Sequence, residues 1–202
     1  MNVHLHTPTL SVTDPRGLAI RSVGYCRHPD SPVIESRITR QVFDAVGRPV
    51  ESWDPRLWGA APKPNLCTVH GLNGQPFLVD SVDAGWQLSL QDQAGLPRSF
   101  WDARGSQRHT DYDDQQRPIA VREHSAGEQP RVVGRLTYGD SDPAFAAHNQ
   151  CGKLIRHDDP AGTQFVTGYG LAGTVLAENR CFLVDLETPD WPIELEARDA
   201  LL

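Results

Sequence analysis

A chain of 202 residues with a net charge of −7 and 39% hydrophobic residues has room for one large or two small domains. The negative balance argues against a general nucleic-acid binder and against attraction to anionic membranes, both of which want a basic face. Seventeen glycines and sixteen prolines, with an apolar share below the usual ~45–50%, predict a soluble, turn-rich β protein with little helix.

In chain order, residues 2–22 read as a strand, a turn at Asp14-Pro-Arg-Gly17 and a second strand through Leu18 and Ile20. A looser segment with two prolines covers residues 28–32. Ile38 to Val42 leads into a turn at Asp44-Ala-Val-Gly47, with Val50 on its far side. Pro55, Pro62 and Pro64 predict an irregular loop before the pattern resumes at Gly71-Leu-Asn-Gly74. Residues 77–82 and 86–90 are the next strands, the second with Trp86, Leu88 and Leu90 alternating onto one face.

The stretch from Trp86 to Val121 sets the architecture. It holds Asp92-Gln-Ala-Gly95, Asp102-Ala-Arg-Gly105 and Asp113-Asp-Gln-Gln116, starting 10 and then 11 positions apart. An Asp side chain can hydrogen-bond the backbone two residues on, and a glycine accepts the positive φ that closes the turn. A type I turn followed by a left-handed residue is a common hairpin closure. Asn149-Gln-Cys-Gly152, Asp159-Pro-Ala-Gly162 and Gly170-Leu-Ala-Gly173 repeat the same spacing, and an aromatic residue often precedes the turn, as at Phe43, Trp101, Tyr112 and Tyr169. A repeat of this kind predicts an array of antiparallel hairpins.

Between and after these triplets, residues 125–129 read as a polar loop and 131–138 as a strand. Residues 140–148 open with Ser-Asp-Pro and suit a capped short helix. Phe182, Val184 and Leu186 alternate as a last strand, and 192–202 is the strongest helix candidate.

Gly168-Tyr-Gly-Leu-Ala-Gly173 matches GxGxxG, and Glu194 lies at a plausible ribose distance, but no long helix follows and the glycines sit in phase with the repeat. His4 and His6 would share a strand face, yet no third ligand is near, and zinc wants three or four. His109, His124, His148 and His157 are scattered, with no Ser or Cys nucleophile motif beside them. Cys26, Cys67, Cys151 and Cys181 show no CxxC spacing and read as free, partly buried thiols. The expectation is therefore no catalytic, cofactor or metal site and no cofactor.

Aromatic-Asp-x-x-Gly-Arg repeats resemble the YD repeats of bacterial Rhs proteins. The match narrows at Phe43-Asp-Ala-Val-Gly-Arg-Pro-Val50, Trp53-Asp-Pro-Arg-Leu57, Ser81-Val-Asp-Ala-Gly-Trp86, Trp101-Asp-Ala-Arg-Gly105, Leu136-Thr-Tyr-Gly139 and Ala146-Ala-His-Asn-Gln-Cys-Gly152. Together these resemble the amino-terminal part of the C component (TccC-like) of insecticidal toxin complexes, over nearly the whole chain. Gln116 in place of glycine and Gly170 in place of aspartate depart from the repeat.

The resemblance implies an all-β array forming part of an Rhs-type shell wall, with a short C-terminal helix and residues 1–202 as a single repeat region. It implies a non-catalytic structural role, helping to enclose a toxic polypeptide, with a B component or the rest of the shell as protein partner and self-association of the isolated chain. Family members are much longer and continue into more repeats, a self-cleaving aspartic protease region and a variable toxic tail. A truncated copy, a separately encoded shell piece and a degenerate gene product remain open. The N-terminus lacks the pattern of a signal peptide and no run is long enough to span a bilayer. This predicts synthesis in the bacterial cytoplasm and, through the resemblance, release within a secreted complex. The alternative is a YD-repeat binding module that recognises carbohydrate or protein through surface aromatics such as Trp101.

Overall fold

A computed structural model describes residues 5–185, 187 and 189–202. It is all-β apart from two short helices, and it divides into two compact units, Met1–Ser89 and Leu90–Leu202.

The first unit carries β1 (Thr9–Thr13), β2 (Ala19–Arg27), β3 (Ile34–Phe43), β4 (Pro49–Trp53), β5 (Leu66–His70), β6 (Pro76–Ser81) and β7 (Gly85–Gln91), whose last two residues cross into the second. Each pairs antiparallel with its neighbour in sequence. The proline-rich stretch after Trp53 is a loop, as its missing N–H donors require.

The second unit carries β8 (Pro97–Asp102), β9 (Gln107–Tyr112), β10 (Pro118–His124), β11 (Arg131–Tyr138), β12 (Leu154–Asp159), β13 (Gly162–Tyr169) and β14 (Val175–Phe182), again antiparallel in chain order. Helix α1 (Pro143–Ala146) interrupts the β11–β12 connection; Asp142 caps it by accepting from the Ala144 N–H at 2.8 Å. Helix α2 (Leu195–Asp199) is shorter than the 192–202 expected.

Few side chains are fully buried. Ala120, Val133, Val166, Tyr169 and Trp191 form the apolar core, all in the second unit. The segment through Trp191 makes that core possible. Trp191 is 1% exposed; its N–H donates to the Val132 carbonyl and its indole N–H to the Asp159 carbonyl. β1 and β14 are exposed along their whole length, and most residues of the other strands are exposed or half-buried.

The last strand differs from expectation. It runs from Val175 to Phe182 rather than through Val184: Phe182 pairs with Gly162 at the start of β13, and beyond it the Val184 N–H donates to the Leu201 carbonyl instead of to a strand. Leu186 lies outside the described residues.

The second turn triplet also differs. Gly170–Gly173 closes β13 onto β14 in the repeat geometry, but Asp159–Gly162 is a two-residue hairpin in which those two residues pair directly. Asn149–Gly152 follows α1 and joins β11 to β12 through a parallel bridge between Gly139 and Cys151. Equal spacing there hides three unlike turns. Conversely, the 125–129 loop is a tight turn, with the Glu128 N–H on the Ser125 carbonyl.

Candidate functional site

The repeated turn is the most regular feature of the molecule. At Asp14, Asp44, Asp92, Asp102 and Asp113 one carboxylate oxygen, Oδ1, accepts the backbone N–H groups two and four residues on, at 2.8–3.0 Å. The residue three positions on donates its own N–H back to the Asp carbonyl, at 2.9 Å for Gly17 and 3.0 Å for Gly95. That residue must be left-handed: φ is +84° at Gly17, +89° at Gly47 and +62° at Gln116. Hydrogen bonds to the charged form depress a carboxyl pKa. The Arg48 N–H on Asp44 and the Arg117 N–H on Asp113 are the main causes that hold both acids below their ordinary value.

At Asp14, Asp44 and Asp113 the other oxygen, Oδ2, holds an arginine, and these three arginines reach beyond their own turn. Arg48 donates Nε to Asp44 Oδ2 at 2.7 Å and Nη1 to the Gly71 carbonyl at 3.3 Å, in the next turn of the same rim. Arg117 donates to Asp113 Oδ2 at 2.7 Å and to the Gly152 carbonyl at 3.1 Å. Arg16 donates to Asp14 Oδ2 and to the Asp44 carbonyl, both at 2.8 Å. A guanidinium has the fork of donors this bridging needs; a lysine does not. The arginine of the repeat is therefore a staple between turns.

The aromatic residues before the turns do more than pack. Tyr112, Tyr138 and Tyr169 donate their hydroxyls to the carbonyls of Pro97, Pro118 and Leu154, each at the start of the preceding strand, at 2.8, 2.9 and 2.7 Å. A cation covers each ring: Arg98, Arg117 and Lys153, at 5.4, 4.2 and 4.7 Å from the centroids. Burial pushes all three phenols above their ordinary pKa, so the hydroxyls remain donors.

A buried ionic cluster was not foreseen from the sequence. Asp158 is fully buried in β12. It accepts from Arg156 Nε at 2.7 Å, from Thr163 Oγ1 at 2.6 Å and from Arg198 Nη1 of α2 at 2.7 Å. Arg156 also bonds Asp199, so both ends of the ion cluster clamp α2 to the sheet. The only sequence signal was Arg-x-Asp in strand alternation, which puts both side chains on one face.

The structure places the other sequence candidates as follows. Gly168 lies inside β13 and Gly170–Gly173 in the turn that follows, with β14 beyond it, so the GxGxxG match meets no helix N-terminus. His6 sits in an exposed turn with φ +60° rather than on a strand face, and His4 lies outside the described residues. No group of three potential metal ligands occurs among the described residues. All four cysteines are free; Cys26 and Cys67 are half-buried, but Cys151 and Cys181 are exposed, against expectation.

One histidine does meet a serine. Ser99 and His109 face each other across β8 and β9, with Oγ 2.9 Å from Nδ1, and His109 Nε2 is 3.3 Å from Asp111. Strand pairing creates this contact between residues ten apart, which spacing does not reveal. Ser99 lies mid-strand rather than on a strained strand-to-helix elbow, and Asp111 is already held by Arg122 at 2.7 Å. The set is a surface polar network. It borders a shallow pocket of about 230 Å³ lined by Trp101, Arg108, Glu123 and His124.

The Asp turns, arginine staples and tyrosine ladder define a YD-repeat strand array of the Rhs class. Comparison with known proteins agrees. The chain is 34% identical over 200 residues to toxin subunit YenC1 of Yersinia entomophaga and 32% identical over 197 residues to YenC2 from the same organism. These alignments cover 94% and 90% of this chain and about a fifth of each relative. A crystal structure of TcdB2-TccC3 superposes with a TM-score of 0.91 at 32% identity, over 99% of this chain and 10% of that one. The Photorhabdus luminescens Tc holotoxin pore gives 0.89 at 32% identity, over 96% and 9%. No protein-family model matches. The chain is homologous to these toxin-complex subunits over an Rhs-like region of the C-component type, and it spans about a fifth of the length of the relatives it matches. No helix among the described residues is long and apolar enough to cross a membrane.

Proposed function

We propose that this chain is a wall segment of a toxin-complex shell, whose work is to help enclose a toxic polypeptide and not to catalyse a reaction. The observation that carries the reading is the superposition on TcdB2-TccC3 over 99% of the chain. The turn-to-turn arginine staples support it, because they tie successive hairpins into a continuous hydrogen-bonded surface. The same Asp turn recurs on both sides of residue 89, which supports one repeat region over residues 1–202. Its partners on this reading are a B component and the remaining shell chain, and it leaves the producing cell as part of that complex.

The test is a graft. Replacing the matching fifth of YenC1 with this chain should preserve assembly with a B component and protect the enclosed polypeptide from added protease. A graft that assembles but leaves the cargo cleavable would sink the containment role. The pocket beside Trp101 favours a second reading, a carbohydrate-binding face. Glycan-array binding that disappears in Trp101→Ala would support it.

A further inference from the structure

In the first unit two arginines lie where a sheet would normally avoid them. Arg21 of β2 and Arg40 of β3 are directly opposed in the antiparallel ladder, where like charges repel. Both are exposed. Among the described residues, the arginine ion pairs of this unit are made by Arg16, Arg48 and Arg56, and neither Arg21 nor Arg40 joins them. What holds them is Trp58, from the loop after β4. The two guanidinium carbons stand 5.4 and 5.2 Å from its ring centroid. Trp53, directly across from Arg40 in β4, packs edge-on against Trp58 at 6.0 Å and 86°, fixing the platform.

A guanidinium held over an aromatic ring keeps its in-plane N–H donors for an acceptor, and that fork matches a planar carboxylate. Two such forks side by side, with no acid of their own, make an oxyanion site. An adjoining groove of about 520 Å³ is lined by Val12 and Val42 as well as by Arg21 and Arg40, which adds an apolar flank. The net charge of −7 repels long polyanions such as nucleic acid, whereas a short segment engages only the local field. We propose that Arg21 and Arg40, held on Trp58, bind a carboxylate presented by an acidic stretch of polypeptide lying in this groove. The site is independent of the containment reading.

The test uses the 202-residue chain and an acetylated, amidated hexaglutamate peptide, with inorganic phosphate as a parallel probe. Proton–nitrogen NMR of the unmodified chain should show the Trp58 indole and the Arg21 and Arg40 side-chain signals moving on titration with peptide. Arg21→Gln and Arg40→Gln should each weaken binding about tenfold, and Arg21→Lys with Arg40→Lys should restore only part of it. Shifts that avoid Trp58 in the unmodified chain would overturn the proposal even if a variant failed to fold. Phosphate matching the peptide at equal concentration would overturn the polypeptide assignment in favour of a phosphate ligand. A failed YenC1 graft with intact peptide binding would remove only the containment reading.

Discussion

Gln116 occupies the left-handed position of its turn at φ +62°, where the equivalent residues are glycines, yet the turn keeps both hydrogen bonds to Asp113 Oδ1. A non-glycine residue there costs roughly 1–2 kcal/mol. Gln116→Gly should therefore raise the urea midpoint, and an unchanged or lower midpoint would mean the side chain compensates through contacts of its own. Gly162 is the opposite case. A Cβ at that position would lie 2.2 Å from the Cys181 carbonyl oxygen at a φ of +139°, so Gly162→Ala must push β13 from β14. We expect it to be among the most destabilising single substitutions in the chain, read as a collapse of the thermal transition.

At the scale of the element, the aspartate turns make stability depend on pH. Asp44 and Asp113 have folded pKa values below the ordinary carboxylate value. Their contribution is fully present above that ordinary value of ~3.9 and is lost as pH falls through the lower folded values. Resistance to urea should fall progressively below about pH 4, and Asp113→Asn should flatten that dependence while lowering stability at neutral pH. The docking of α2 rests on different physics. Asp158 serves two arginines and a threonine in full burial; removing it takes the carboxylate from the buried Arg198 and leaves Arg156 with Asp199 alone, at a cost of about 3–5 kcal/mol. Asp158→Ala should undock α2, which hydrogen exchange at residues 195–199 would register; retained protection there would refute the clamp.

For the whole molecule, the composition of the surface matters more than any core. Every residue of β14 is exposed, and Val175, Leu176 and Phe182 present apolar surface beside a strand that pairs only with β13 among the described residues. Strand edges of this kind template pairing with other chains. The purified chain should self-associate with rising concentration and bind a dye for apolar surface, and light scattering from a monodisperse, dye-free monomer would contradict this. Its far-UV circular dichroism should be dominated by β and turn signals.

Much of this was legible in the linear chain because turn chemistry is local. At Asp14, Asp44, Asp92, Asp102 and Asp113 an Asp and a left-handed residue three positions on make the same five-residue closure, so these turns could be read one at a time, and with them the all-β class and the family. Spacing failed where identical intervals hid different closures, as at Asn149, Asp159 and Gly170, since backbone pairing decides which turn a given tetrapeptide adopts. The staples, the Ser99–His109 contact, the clamp on Asp158 and the Arg21–Trp58–Arg40 platform all join residues brought together only by register between strands or by the docking of a loop. Register depends on which faces the whole sheet buries, and that is a property of the tertiary structure rather than of any segment.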